Sequence, residues 1–256
     1  MPDAGRGHVG DHHPSPHTVQ ADASSILADL SLVSEERARR SASADLMLRV
    51  QAIKHFQQRR FVHTYADLLA TPRYGDVSRF FLDELYGPHD FTKRDAQLAR
   101  IVPALVRLFP QVMVDAIGAL VELHALSEAL DSLMGANLEG IEADAAGYIR
   151  AWVVTARPNL RERQIALTLE VGAALDRLTR KPLLRNSLRL MRGPATAAGL
   201  GALQSFLETG FDTFKAMGGA EEFLSLVDAR EHQLAAAIFD AETTGASRTA
   251  ALGQLP

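Results

Sequence analysis

The 256-residue chain contains no cysteine. Disulfides, thiol nucleophiles and thiolate metal sites are thereby excluded, and the composition fits a reducing compartment. Its most apolar run, Val112 to Leu126, is interrupted by Asp115 and Glu122 and falls short of the ~20 residues that cross a bilayer. Met1 to His8 have no apolar segment of the kind a secretory signal needs. Neither sign of charge dominates: the net charge of -4 removes the whole-protein argument for nucleic-acid binding and leaves only local patches. Period-two alternation bounded by turn residues is absent too, so no strand is expected. What is present is ordinary for a globular chain, 47% apolar and 23% charged, and long enough to bury a sizeable core. The expectation is a cytoplasmic protein without a membrane span.

Residues 1–24 are rich in Gly, Pro, His, Ser and Asp and show no periodicity, so they read as a disordered tail. His8, His12, His13 and His17 fall in it, but without a scaffold to fix their geometry they amount at best to weak chelation, and no metal site is assigned. From Leu27 the three-and-four spacing of apolar residues is helical almost without a break to Ala70, with Ser34-Glu35-Glu36 as a start signal. Further helices are expected over Asp76–Tyr86, Lys93–Leu108 with Pro103 inside, Gln111–Leu133, Glu139–Ala156, Asn159–Leu178, Pro182–Arg192, Ala195–Met217 and Ala220–Ala241. Gln111–Leu133 is the most apolar, over a broad arc, which marks it as a central helix. Residues 243–256 return to small polar types and are expected to fray. The fold class is all-α: one bundle of eight or nine helices over 25–242, with a domain boundary near Arg157 as the alternative.

Between Asp83 and Asp95 one helix stops and the next starts. Gly87 and Pro88 close the first, and Thr92, three residues before Asp95, has the spacing of a capping box. The corner gathers acids, a base and a phenol, which suits a site and equally suits a helix corner that satisfies its own backbone ends. Tyr86, His89 and Arg94 are its candidate ligand-binding residues, because all three could donate to an anion near a helix start. His124 projects from the most apolar helix. It is either a core-edge histidine bonded to a neighbour such as Glu128 or the axial ligand of a haem. No histidine has a Glu three residues earlier, which sets aside a di-iron bundle, and no Gly-x-Ser-x-Gly or His-Glu-x-x-His motif occurs.

On a helix opened at Pro182, Leu184, Leu188 and Met191 share one face while Arg185, Arg189 and Arg192 share the next. These arginines are candidate partner-binding residues. The competing reading pairs them internally with the acids Glu208, Asp212, Glu221, Glu222, Asp228 and Glu231 of the following helices.

The phrase Arg79-Phe80-Phe81-Leu82-Asp83-Glu84-Leu85-Tyr86-Gly87-Pro88-His89-Asp90-Phe91-Thr92-Lys93-Arg94-Asp95 resembles a motif of a family of uncharacterised bacterial all-helical proteins. Glu122 to Asp131 and Gly210 to Ala220, with Arg230-Glu231, resemble it as well. The resemblance implies an all-α fold over most of the chain after Val50 and brings no reaction, cofactor or partner. The functional expectation is therefore a helical regulatory or interaction module that binds a protein partner or small anionic ligand. The alternative is a haem or small-ligand sensor with a pocket between helices. An enzyme using Asp83, His89, Asp90 and Arg94 ranks third, without a catalytic signature behind it.

Overall fold

In the computed structural model, which describes residues 20–84, 90–242, 249 and 251–256, the apolar spacing folds as helices, and no strand occurs among the described residues. Among residues 20–242 that are described, these α-helices follow one another: α1 (Ala23–Ser41), α2 (Ala44–Thr64), α3 (Ala66–Ala70), α4 (Gly75–Glu84), α5 (Thr92–Leu108), α6 (Gln111–Asn137), α7 (Ala145–Thr155), α8 (Pro158–Thr179), α9 (Pro182–Ala197), α10 (Gly201–Met217) and α11 (Glu221–Phe239). A single 3-10 turn, Asp240–Glu242, continues α11. No helix among the described residues is long and apolar enough to cross a membrane.

α6 is the axis. It packs against α1, α2, α5, α7 and α8, as its broad apolar arc foretold, while α10 and α11 close the far side over α8. Close approach is built into it: a Cβ on Gly135 would stand 2.5 Å from Val50 Cγ2 and 3.1 Å from the Val50 backbone nitrogen, so α2 lies almost directly on the α6 backbone. An aromatic cluster, with Tyr65, Phe80, Phe81, Phe214 and Phe223 buried together, joins α2 and α4 to α10 and α11. Ile53, Phe56, Met134, Tyr148 and Trp152 form a second cluster at the other end.

Several local expectations need correction. Asp22 forms a capping box with Ser25, accepting from its backbone NH at 2.8 Å, so α1 begins inside the stretch assigned to the tail, and Ser34-Glu35-Glu36 lie mid-helix. The run to Ala70 breaks twice, at Ser43, whose hydroxyl caps α2, and at Tyr65, which divides it among α1, α2 and the short α3. α9 continues through Gly193-Pro194 to Ala197. A proline there frees the carbonyl of Leu190, a residue 79% exposed and open to water. At the chain end the expected fraying does not extend to Ala251 and Leu255, which are buried against Ile53, Leu234 and Ile238.

The corner differs as well. α5 starts after Phe91 with no side-chain cap; the backbone NH of Thr92 donates to Asp90 Oδ1 (2.9 Å), and the Asp95 carboxylate turns inward instead of back to the helix start.

Candidate functional site

α6 carries His124, Ser127, Glu128 and Asp131 at spacings of three, four and seven, which stacks them along one helical side. Charged groups inside the most apolar helix must find partners, because an unpaired buried charge is costly. α2 supplies them with a matching row, Lys54, Gln57 and Arg60. Glu128, almost fully buried, takes Lys54 Nζ at 2.9 Å on one oxygen and Arg40 of α1 on the other. Burial pushes its carboxyl up, but the charges of Lys54 and Arg40 prevail and hold it down at about 2. Asp131 Oδ1 accepts from Gln57 Nε2 (3.0 Å), and here burial wins and raises the carboxyl. Arg60 pairs with Glu231 of α11, whose Oε1 also accepts from the Tyr65 hydroxyl at 2.7 Å.

These groups do not close on one another. They leave a cavity of about 50 Å³ between α2, α6, α7, α8 and α11. α7, started by Asp144 accepting from the Gly147 NH, contributes Tyr148 and Trp152 to its wall. α8 contributes Arg161, stacked 3.8 Å from the Trp152 ring centre, together with Gln164 and Thr168. Two of the residues that line it carry a donor with no hydrogen-bond partner, although the residues are more than nine-tenths buried: Arg60 at Nε and Trp152 at Nε1. Each such orphan costs about 1–3 kcal/mol. Burial also raises the Tyr148 phenol, keeping it a donor.

His124 and Ser127 belong to this wall and equally to the wall of a second cavity, about 70 Å³, between α1, α5, α6 and α10. The second is aliphatic, lined by residues such as Leu98, Ile101, Ile117, Leu120 and Leu203, with Arg94, Asp95 and His124 at one end. There His124 Nε2 donates to Asp95 Oδ2 (3.0 Å), which Arg37 also approaches at 2.8 Å. Burial pushes the Asp95 carboxyl up, and the hydrogen bond and charge of His124, then Arg94 and Arg37, bring it below the usual carboxylate range. The Arg94 guanidinium lies between the Phe91 and Phe206 rings, 4.0 and 4.7 Å from their centres, and its Nε is 3.5 Å from Asp95 Oδ1.

Of the residues singled out in the sequence, Arg94 and His124 are thus brought together, bridged by Asp95. The bond expected between His124 and Glu128 is replaced by the one to Asp95, since Lys54 and Arg40 occupy Glu128. Tyr86 and His89 lie outside the described residues. Arg185 pairs with Asp212 (2.6 Å) and Arg192 with Glu208, the internal neutralisation that competed with partner binding; Arg189 is exposed. Met191 is half exposed and does not join Leu184 and Leu188 on the inner side. The residues that reading missed, Arg37, Lys54, Gln57, Arg60, Asp131, Trp152 and Arg161, carry a signal after all. Glu128 and Asp131 interrupt the most apolar helix, and Lys54, Gln57 and Arg60 recur every three residues among Ile53, Phe56 and Phe61. Among the described residues no group of His, Asp or Glu has the arrangement of a metal site.

No curated protein matches the chain, and no solved structure does. One family does, over residues 36–245, a span that takes in both cavities except for the α1 residue Leu30. The chain belongs to this family, described as a domain of unknown function, DUF8198.

Proposed function

We propose that the protein binds a small molecule bearing hydrogen-bond acceptors, a carboxylate or an ester-like oxygen pair, in the polar cavity between α2, α6, α7, α8 and α11. The observation that supports this reading is a cavity lined by Lys54, Arg60, Tyr148, Trp152 and Arg161, two of whose lining residues carry a buried donor without a protein partner, Arg60 Nε and Trp152 Nε1. Lys54, Glu128 and Asp131 hold that wall open by pairing sideways, and the low Glu128 carboxyl keeps the pairing charged at neutral pH. Size favours a small ligand over haem: both cavities are smaller than the roughly 150 Å³ that accommodates benzene, and a porphyrin is several benzenes wide. His124 Nε2, the atom a haem iron would take, already donates to Asp95. A cytoplasmic place, suggested by the cysteine-free composition, goes with this reading.

The test is thermal unfolding with acetate and with inorganic phosphate at several concentrations. The wild type is expected to gain stability with ligand, and Trp152→Phe, which keeps a ring under Arg161 but loses the NH, to bind about tenfold more weakly. Equal stabilisation of both proteins, or of neither, would count against the site.

The outer face of α9 supports a second reading, contact with a protein partner. Leu183 and Leu190 are 75% and 79% exposed and one heptad apart, beside Arg189. Capture of the same proteins by wild type and by Leu190→Asp with Arg189→Glu would set this reading aside.

A further inference from the structure

We infer that the outer face of α9 rests on an anionic lipid surface, lying along it without crossing it. This gives that face an occupant other than a protein partner and depends on neither cavity. Leu183, Ser187, Leu190, Pro194 and Ala197 follow one another at spacings of four, three, four and three. They therefore form a single line of about 21 Å along the helix, and all five are exposed. The opposite side, with Ala195 buried and Leu184 and Leu188 half-buried, is the one that meets α8 and α10. An apolar line left in water on a helix that is already docked marks a contact surface.

Charge decides what covers it. From Arg177 to Leu207 the chain has no acid, yet that stretch holds Arg177, Arg180, Lys181, Arg185, Arg189 and Arg192, in a protein whose net charge is -4. Asp176, Asp212 and Glu208 neutralise Arg180, Arg185 and Arg192. Arg177, Lys181 and Arg189 are exposed and make no ion pair among the described residues. A second acid-free stretch, Ala96 to Val114, touches the end of α9, where Arg100 Nη2 donates to the Ala198 carbonyl at 2.5 Å. It exposes Arg107, Leu108, Phe109 and Val112 around the turn between α5 and α6. A second copy of the chain would set these cations against themselves, which like charge disfavours. The line is also the ridge of a helix and lines neither cavity. A lipid surface yields to a ridge: Leu183 and Leu190 can sink to the acyl boundary while Lys181 and Arg189 reach the headgroups, as in an interfacial helix. An acidic protein would need a groove already shaped to the same ridge.

Co-sedimentation of the full chain with vesicles of phosphatidylcholine alone, and of phosphatidylcholine mixed with phosphatidylserine, tests this. Binding is expected to the mixed vesicles only and to weaken as salt is raised. Arg189→Gln should lower the affinity about fivefold, and Lys181→Gln combined with it about 25-fold. Leu183→Ser with Leu190→Ser should abolish binding; all these side chains are exposed, so the variants are expected to keep the helical circular dichroism of the wild type. No binding to the mixed vesicles, equal binding to both kinds, or undiminished binding by the double serine variant would overturn the inference. Polyglutamate bound as tightly as the mixed vesicles would overturn it too and return the face to an acidic protein partner. Should the serine variant fail to fold, the comparison of the two vesicles and the Lys181 and Arg189 variants still decide.

Discussion

His124 Nε2 on α6 donates to Asp95 Oδ2 on α5 across 3.0 Å, and that bond joins the corner between α4 and α5 to the charged row along α6. Asp95 therefore has a tertiary task where its position after Thr92 suggested a local one. Asp95→Ala leaves His124, Arg37 and Arg94 facing each other without their shared acid and is expected to cost about 3 kcal/mol. Thr92→Ala, whose hydroxyl caps no helix and accepts only a long, exposed hydrogen bond from Arg37 Nη1 (3.3 Å), is expected to cost less than ~1 kcal/mol. Urea unfolding of both variants checks the contrast; equal losses would return Asp95 to a capping role.

The same acids fix the acid limb of the stability curve. The folded pKa of Asp95 and Glu128 lies below the unfolded values of about 4, so the folded state holds fewer protons there than the unfolded one. Their contribution is present above about pH 5 and is lost as pH falls through the folded values, toward pH 2 for Glu128. For Glu128 the loss is on the order of 3 kcal/mol, and Glu128→Gln should flatten the decline between pH 5 and 3. Stability measured at closely spaced pH values shows whether it does.

Asp131 has the opposite sign. Its raised carboxyl means that the fold holds the proton better than the unfolded chain does, so ionisation weakens the fold as pH rises past about 4. At pH 7 Asp131→Asn is expected to stay within about 1 kcal/mol of the wild type, whereas Glu128→Gln strands the buried Arg40 and costs about 3 kcal/mol. Chemical denaturation ranks the two, and a larger loss for Asp131→Asn would contradict the assigned roles.

Two helical glycines separate close approach from convenience. At Gly135 an added Cβ meets the Val50 side chain and backbone, so the ~1 kcal/mol gained in helix propensity is outweighed by overpacking of about 1–3 kcal/mol. At Gly172 the obstacle is the far end of Leu224, which can swing aside. Gly135→Ala is expected to lower the melting temperature and Gly172→Ala to leave it nearly unchanged.

The architecture was legible in the sequence where one helix face decides it. The breadth of the apolar arc from Gln111 onward identified α6 as central, and α10 ends at the expected Met217, closed by Gly218 at φ 73°. Apolar spacing failed where polar residues do the packing. Lys54, Gln57, Arg60 and Asp131 count against burial in any hydrophobic pattern, yet they are inside because each meets a partner from a helix far away in sequence. Arg94 and His124 were found by type alone; Asp95, which joins them, had been assigned to the backbone. The expected helix end at Arg192, before Gly193-Pro194, was too early because a proline stops a helix only when the freed carbonyl has nowhere to turn, and on the outer side of α9 water serves.

The single tryptophan reports directly on the central claim, that the space around Arg60 and Trp152 is a ligand site. Emission from Trp152 followed while acetate is added should shift and saturate in wild type, and Arg60→Lys, which keeps the charge near Glu231 but lacks the Nε donor, should need roughly tenfold more for the same change. A wild-type emission that never saturates, or an Arg60→Lys curve that overlays it, would contradict the account.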